Sequence, residues 1–308
     1  MKKKISVLIP IYNEEENIKN IYEKIKSIFI NKLSNYHYEI LFLDNASNDN
    51  SRNICLSIKN NDQNCIYIKQ SRNFGYQANI LTGYHHCSGE SAIVVDADGQ
   101  DDPDLIEKLI EKWEDGYEVV YGIRENRDEN FIKKNIRKIF YRTLNFFSEI
   151  YIPPDAGDFR LVDKKIIDHI KSTKERTIYL RGLISYFGYR QTGVKYNRKK
   201  RTLGKSKFSI FNNFELAERG ILSFTKAPLK IIAITGFFLF VLSFIGILYY
   251  LYIYLFKGIS APGFTTIILI LLFFFGLIIF FLGIAALYIG QILDEVKNRP
   301  RFIVDEKK

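Results

Sequence analysis

From residue 5 to residue 121, short apolar runs alternate with stretches of helical period. Residues 5–9 form an apolar run ending at Pro10, the pattern of a buried β-strand. Ile18, Ile21, Ile25, Ile28 and Phe29 then recur at helical spacing, which predicts a helix over 14–29. The pattern repeats. Strands are predicted at 38–43, 65–68, 91–95 and 118–121, and helices from about Ser51, over 76–86 and over 104–115. Strands that alternate with helices predict an α/β fold built on a mostly parallel, doubly wound sheet with right-handed crossovers.

The pattern changes twice further on. Residues 131–150 interleave basic and apolar side chains, as in an amphipathic helix packed on the sheet or a basic helix on an anionic membrane surface. Residues 208–227 mix Phe208, Phe211, Phe214, Leu222 and Phe224 with Glu215, Glu218 and Arg219, which reads as an interfacial helix. Residues 231–256 and 264–289 carry no charge, and each is long enough to span a hydrocarbon core of about 30 Å. A two-helix transmembrane hairpin is therefore expected. The expected organisation is a catalytic domain at 1–207, an interfacial helix at 208–229, a hairpin at 230–290 and a tail at 291–308.

Charge sets the orientation. Lys226, Lys230, Lys297, Arg299 and Arg301 flank the hairpin, while its turn has only Lys257, so both flanks are expected on the cytoplasmic side of a cell membrane. The whole chain of 308 residues carries a net charge of +10. Cys55, Cys65 and Cys87 have neither zinc spacing nor an even disulfide count, which fits a reducing compartment. The N-terminal run meets Pro10 and then Glu14-Glu15-Glu16, so it reads as a strand and not as a signal peptide. His37, His85, His86 and His169 show no metal spacing, and no nucleic-acid partner is expected.

The densest chemistry follows the strand at 91–95. Asp96, Asp98 and Gln100 stand two residues apart, before Asp101, Asp102 and Pro103 at a helix start. Open α/β sheets bind ligands at this carboxyl edge. Carboxylate and amide oxygens suit Mg²⁺ or Mn²⁺, with positions left for substrate phosphates. An acidic helix cap is the plainer reading of the same residues. The other strands also end in polar groups, among them Asn13, Glu14, Asp44, Arg72 and Asn73. Tyr12 offers a ring to a base and Asp44 a carboxylate to a ribose or a base. There is no Gly-x-Gly-x-x-Gly and no Walker loop, so phosphate must be held by a metal and by basic side chains.

Ile9-Pro10-Ile11-Tyr12-Asn13-Glu14-Glu15, Asp44 with Asp49, Arg72-Asn73-Phe74-Gly75 and Asp96-Ala97-Asp98-Gly99-Gln100-Asp101-Asp102-Pro103 together resemble glycosyltransferase family 2. The resemblance implies a GT-A fold. The Asp-x-Asp-x-Gln-x-x-Pro run is similar to the polyprenyl-phosphate branch, which includes dolichol-phosphate mannose synthases and bacterial polyprenyl-phosphate glucosyltransferases. One departure is Asn45, where many members carry a second acidic residue. Asp155-Ala156-Gly157-Asp158-Phe159-Arg160 resembles the segment that this branch sets beside the reacting sugar. Asp158 is the first choice for the acidic residue at the acceptor and Asp155 the second; either one also suits a cap for a helix beginning near Asp163. Arg201, Ser206 and Lys207 match an Arg-x-x-Gly-x-Ser-Lys segment that members place over the diphosphate.

The resemblance thus implies a membrane-anchored, metal-dependent, inverting enzyme that moves one sugar from a nucleotide-sugar to a polyprenyl phosphate. UDP-glucose is the leading donor and undecaprenyl phosphate the leading acceptor, with UDP-N-acetylglucosamine, GDP-mannose and aminosugar donors left open. Asp96, Asp98 and Gln100 are expected to hold the metal; Pro10, Tyr12, Glu14, Asp44 and Asp96 to meet the nucleotide-sugar; and Arg124, Arg137, Arg160, Arg201, Ser206 and Lys207 to meet phosphate. Asp158, Asp155 and Asp98 are the expected catalytic residues. Processive members have more spans and a Gln-x-x-Arg-Trp motif, both absent here, so transfer of a single sugar is implied. A homo-oligomer is left open. Two rivals use the same residues: a sugar nucleotidyltransferase, and a non-catalytic nucleotide-binding membrane module.

Overall fold

The structure is a computed structural model that describes residues 2–124, 153, 156–176, 179–197, 227–257 and 263–308. Among the described residues, eight strands form one sheet in the order β7-β5-β6-β4-β1-β2-β3-β8. The first half of the chain supplies β1 (Lys4–Ile11), α1 (Ile18–Asn31), β2 (His37–Asp44), α2 (Ser51–Asn61), β3 (Cys65–Gln70), α3 (Tyr76–His86), β4 (Ser91–Val94), α4 (Leu105–Glu114) and β5 (Val119–Arg124). Then follow β6 (Ala156–Asp163), α5 (Lys164–Ser172), α6 (Leu180–Tyr186), β7 (Gln191–Tyr196), the long helices α7 (Ala227–Lys257) and α8 (Phe264–Lys297), and β8 (Val304–Lys307).

β1 lies at the centre, parallel to β2 on one side and β4 on the other. Seven of its eight residues are buried, as expected of a strand covered on both faces. Its side chains alternate between two cores. Val7 and Ile9 join α1, α2 and α4 on one face, while Leu8 joins α3, α5 and α6 on the other. The expected α/β fold with a mostly parallel sheet is therefore observed through β4.

Beyond β4 the sheet turns mixed. β6 lies between β4 and β5 and runs antiparallel to both. The capping alternative for Asp158 is resolved here: Asp163 caps α5, accepting from Lys165 N at 2.9 Å, while Asp158 lies inside β6. The first helix starts at Ile18 and not at residue 14. Asn13 has a left-handed φ of 54°, and the Glu14 carbonyl closes a turn onto Asn17 N and Ile18 N.

The chain end also departs from the expected tail. β8 adds to β3 as an antiparallel edge strand, and Arg52 grips Glu306 through Nε and Nη2 at 3.0 and 2.8 Å. Just before β8, Glu295 accepts from Arg176 N, and Arg301 donates to the Thr173 carbonyl. Val-Asp-Glu-Lys has little apolar alternation, so only the open edge of β3 reveals it as a strand.

Two stretches, Pro228–Gly246 in α7 and Phe273–Lys297 in α8, are long and apolar enough to cross a membrane. Neither is buried against the rest of the protein, and Phe237 is 71% exposed. A core helix of a water-soluble domain would hide such side chains.

Candidate active site

The carboxyl ends of the parallel strands β1, β2, β3 and β4 meet on one edge, and their loops are laced together. Asn13 N donates to Ser47 Oγ at 2.9 Å, and Asn48 N returns a bond to Asn13 Oδ1 at 2.8 Å. Glu14 N donates to Ser51 Oγ, and its carboxylate accepts from Asn17 Nδ2 at 2.7 Å. Pro10 is buried at the end of β1, and Tyr12 and Glu14 stand half-buried beyond it. Asp44 is fully buried: Oδ1 takes Ser47 N at 2.8 Å and Oδ2 takes the Tyr67 hydroxyl at 2.6 Å. Asn45 reaches across to the next loop, binding Asn73 Oδ1 through Nδ2 and Phe74 N through Oδ1, both at 2.9 Å.

The acidic cluster occupies the same edge. Asp96 follows β4 and accepts from the Tyr76 hydroxyl, at the start of α3, at 2.6 Å. Asp98 turns back onto Gln100 N at 3.0 Å, in a bend where Gly99 adopts a φ of 68°. Asp101 is fully buried and belongs to a different set. It accepts from the Tyr196 hydroxyl at 2.5 Å, and Arg124 stands 3.6 Å from its second oxygen. Burial pushes Asp96 up to about 7, helped by repulsion from Asp101 and Asp98. Its hydrogen-bond partner is the Tyr76 hydroxyl, and Arg124, a cation that acts on it, is shared with Asp101.

That imbalance tests the fit of a divalent ion. The negative charge gathered at Asp96 and Asp98 is what a bound cation would offset, and two carboxylates with a glutamine amide are hard oxygen donors. Among the described residues, no three His, Cys, Asp or Glu side chains form a metal cage by themselves. Mg²⁺-type sites commonly have one or two carboxylates and draw the rest from water and substrate phosphate. The residues fit such an ion.

β6 brings the second half of the site. Asp158 is 9% exposed and held by Arg181 of α6, Nε to Oδ1 at 2.8 Å and Nη2 to Oδ2 at 2.5 Å. Burial would raise its pKa, but Arg181, with Arg160 and Arg124 behind it, holds the carboxyl down to about 2. Arg160 pairs across the sheet with Val94 and donates through Nη2 to the Gly157 carbonyl at 2.8 Å, leaving Nε buried and unpartnered. Arg124 lies against Gly157, where a Cβ would stand 3.2 Å from Nη2.

The structure thus gathers Asp96, Asp98, Gln100, Asp158, Arg124 and Arg160 beside β4 and β6, next to the β1 and β2 ends that carry Pro10, Tyr12, Glu14 and Asp44. Asp155, Arg137, Arg201, Ser206 and Lys207 lie outside the described residues. Sequence reasoning missed Tyr76, Arg181 and Tyr196. Each acts through a partner distant in the chain, and none carries a local signal.

The profile described as Glycosyl transferase family 2 matches residues 6–171. The uncharacterized glycosyltransferase YkcC of Bacillus subtilis is 39% identical over 302 residues, 98% of this chain and 93% of that one. The chain belongs to glycosyltransferase family 2.

Other relatives of this family 2 chain have more specific names. The bactoprenol glucosyl transferase of Shigella phage SfV is 32% identical over 99% of both chains. The prophage bactoprenol glucosyl transferase homolog of Escherichia coli is 30% identical, again over 99% of both. Among solved structures, glucosyl-3-phosphoglycerate synthase from Mycobacterium tuberculosis, in complex with Mn²⁺, UDP-glucose and phosphoglyceric acid, aligns at a TM-score of 0.47 and 13% identity, covering 71% of this chain and 78% of that one. A mannosyltransferase from Pyrobaculum calidifontis, in complex with GDP-Man and Mn²⁺, aligns at 0.45 and 16% identity, covering 66% and 59%. The α/β sheet of this glycosyltransferase, with its acidic bend after β4, is the GT-A fold of the family.

Proposed function

We propose that this glycosyltransferase moves one sugar, glucose as first choice, from a uridine diphosphate sugar to a polyprenyl phosphate of the undecaprenyl kind. The carrying observation is the pairing of the acidic bend Asp96–Gln100 with a β6 that presents Asp158 and Arg160 beside it, next to Arg124. The bactoprenol glucosyl transferase relatives, matched along nearly their whole length, support the acceptor and the sugar.

Pro10, Tyr12, Glu14 and Asp44 would border the nucleoside. Arg124 and Arg160, with Arg137, Arg201, Ser206 and Lys207, would meet phosphate; arginine suits it because its planar fork can bind two oxygens. Asp96, Asp98 and Gln100 would hold Mg²⁺ or Mn²⁺, which when bound offsets charge on the departing diphosphate. The acceptor phosphate oxygen attacks C1 of the sugar. The C1–O bond to the diphosphate breaks, its electron pair leaves with the nucleotide, and C1 is inverted. A phosphate oxygen is already ionised near neutral pH, since its second pKa is about 6, so the attack needs no general base. Asp158 then stands at the acceptor as a charge, and Asp155 is the second choice for that place.

The exposed apolar faces of α7 and α8 support a membrane hairpin at 230–290; the interfacial helix at 208–229 rests on its sequence pattern, since residues 208–226 lie outside the described residues. The lysines and arginines at its flanks favour a cytoplasmic catalytic domain, where the nucleotide-sugar is found.

The test is to incubate membranes carrying the protein with labelled UDP-sugars, Mn²⁺ and undecaprenyl phosphate. Labelled, chloroform-soluble product is expected. Pyrophosphate release would favour a nucleotidyltransferase, and nucleotide binding without turnover a non-catalytic module; either outcome defeats the proposal.

A further inference from the structure

We propose that Arg181 is a positioning residue of the transfer, one that fixes both oxygens of Asp158 and so selects an acceptor that arrives already ionised. The inference rests on the reading that Asp158 stands at the acceptor. Its own ground is the geometry of the pair. Nε and Nη2 of one guanidinium engage the two oxygens of one carboxylate, at 2.8 and 2.5 Å, where both side chains are largely buried. A fork of this kind sets direction as well as charge.

Consider what faces Asp158. Arg181 comes from α6, Arg160 from β6 and Arg124 from β5; Tyr76 and Tyr84 come from α3, and Asp96 from the end of β4. Three guanidinium groups act on this one carboxylate, of which Arg124 is shared with Asp101 and Asp96. A carboxylate so held is a very weak base, because a proton would have to displace Arg181. A sugar hydroxyl, which must lose a proton as it attacks, finds no help here. A phosphate monoester needs none. Arg181 thus turns a position that could hold a general base into one that rewards an anionic acceptor.

Such a residue could instead serve the fold alone, so the test needs a readout that mere stability would not move. Sugar transfer to undecaprenyl phosphate is measured from pH 5 to pH 8 for the wild type, Arg181→Gln and Arg181→Lys, each normalised to its folded, nucleotide-binding fraction. With saturating Mn²⁺, which would hold Asp96 ionised, the wild type is expected to lose rate in acid with a single proton, that of the acceptor phosphate near its second pKa of about 6. In Arg181→Gln, Asp158 loses its main counter-charge while Arg160 and Arg124 remain, and its pKa rises. The acid limb then steepens beyond one logarithmic unit per pH unit. kcat is expected to fall about 100-fold, the scale of a misplaced active-site group, while KM for the nucleotide-sugar stays within about twofold. Arg181→Lys keeps the charge without the fork, so it should restore the single-proton limb and only part of kcat.

An Arg181→Gln enzyme with normal kcat per folded molecule and an unchanged acid limb overturns the inference and leaves the proposed function standing. A wild type that transfers nothing to undecaprenyl phosphate overturns both. Should Arg181→Gln not fold, Arg181→Lys decides alone: full kcat with an unchanged limb rejects the need for a fork.

Discussion

Asn45 and Asn73 bind each other across two loops of the sheet edge, Nδ2 to Oδ1 at 2.9 Å. The other oxygen of this contact, Asn45 Oδ1, takes Phe74 N, so one side chain fixes the loop that leads into Tyr76 and α3. An aspartate has no N–H to give Asn73. Asn45 is 4% exposed, so the change would also place charge beside an amide oxygen. Asn73 Oδ1 keeps its bond from Gly75 N, so Asn45→Asp is expected to cost about 1 kcal/mol, the net worth of one hydrogen bond. A lowered thermal midpoint in detergent, with weaker nucleotide-sugar binding, is the measurement that checks it.

Removing a carboxylate from the acidic bend should separate chemistry from folding. Asp98→Ala deletes one proposed metal ligand and the turn bond to Gln100 N, but no packed core side chain. Product formation is expected to fall at least about 100-fold, while membrane insertion is retained. Chelation of the wild type should also stop turnover, and added Mn²⁺ should restore it. Turnover unchanged in Asp98→Ala would reject the metal assignment.

Two glycines should differ in a way the structure sets. A Cβ at Gly83 would meet Leu43 Cδ1 at 2.6 Å and Leu8 Cδ1 at 2.9 Å, the ends of side chains with some freedom to turn. A Cβ at Gly89 would meet Lys4 O and Ser6 N, each at 2.8 Å, which are backbone atoms of the central strand. Gly83→Ala is expected to cost about 1–3 kcal/mol, as overpacking does, and Gly89→Ala more. Paired thermal melts give the order, and a reversed order contradicts the close approach at Gly89.

The chain-end clamp should be sensitive to acid. Arg52 and Lys308 hold the Glu306 carboxyl down to about 2, against about 4.3 for an unperturbed glutamate. A depressed carboxyl contributes stability above its unfolded pKa and loses that contribution as pH falls through its folded one. Hydrogen-exchange protection at the amides of Tyr67 and Lys308, which bond to each other's carbonyls, is therefore expected to decline between about pH 4 and pH 2 after correction for intrinsic rates. Glu306→Gln should lower it already at neutral pH and remove most of the acid dependence.

The parallel core was legible in the sequence because each of its signals is local. Apolar runs gave β1 to β5, and the periodic Ile18–Phe29 stripe gave α1, although the left-handed Asn13 moved its start. The acidic bend was legible because Asp96, Asp98 and Gln100 stand two residues apart. The antiparallel β6, the Arg181–Asp158 pair and the Tyr76–Asp96 bond were not, since each joins segments whose only relation is three-dimensional. Tyr196 and Asp101, 95 residues apart, are the extreme case within the site.

β8 is made after both long apolar helices, yet it closes the edge of a sheet begun at residue 4. During synthesis on the ribosome, β3 therefore waits with one side bare until Val304–Lys307 has emerged. Bare strand edges invite pairing with other chains. Copies cut short before residue 304, including those trimmed to rid them of their greasy helices, inherit that exposed edge for life, and their clumping would reflect a missing strand as much as a missing bilayer.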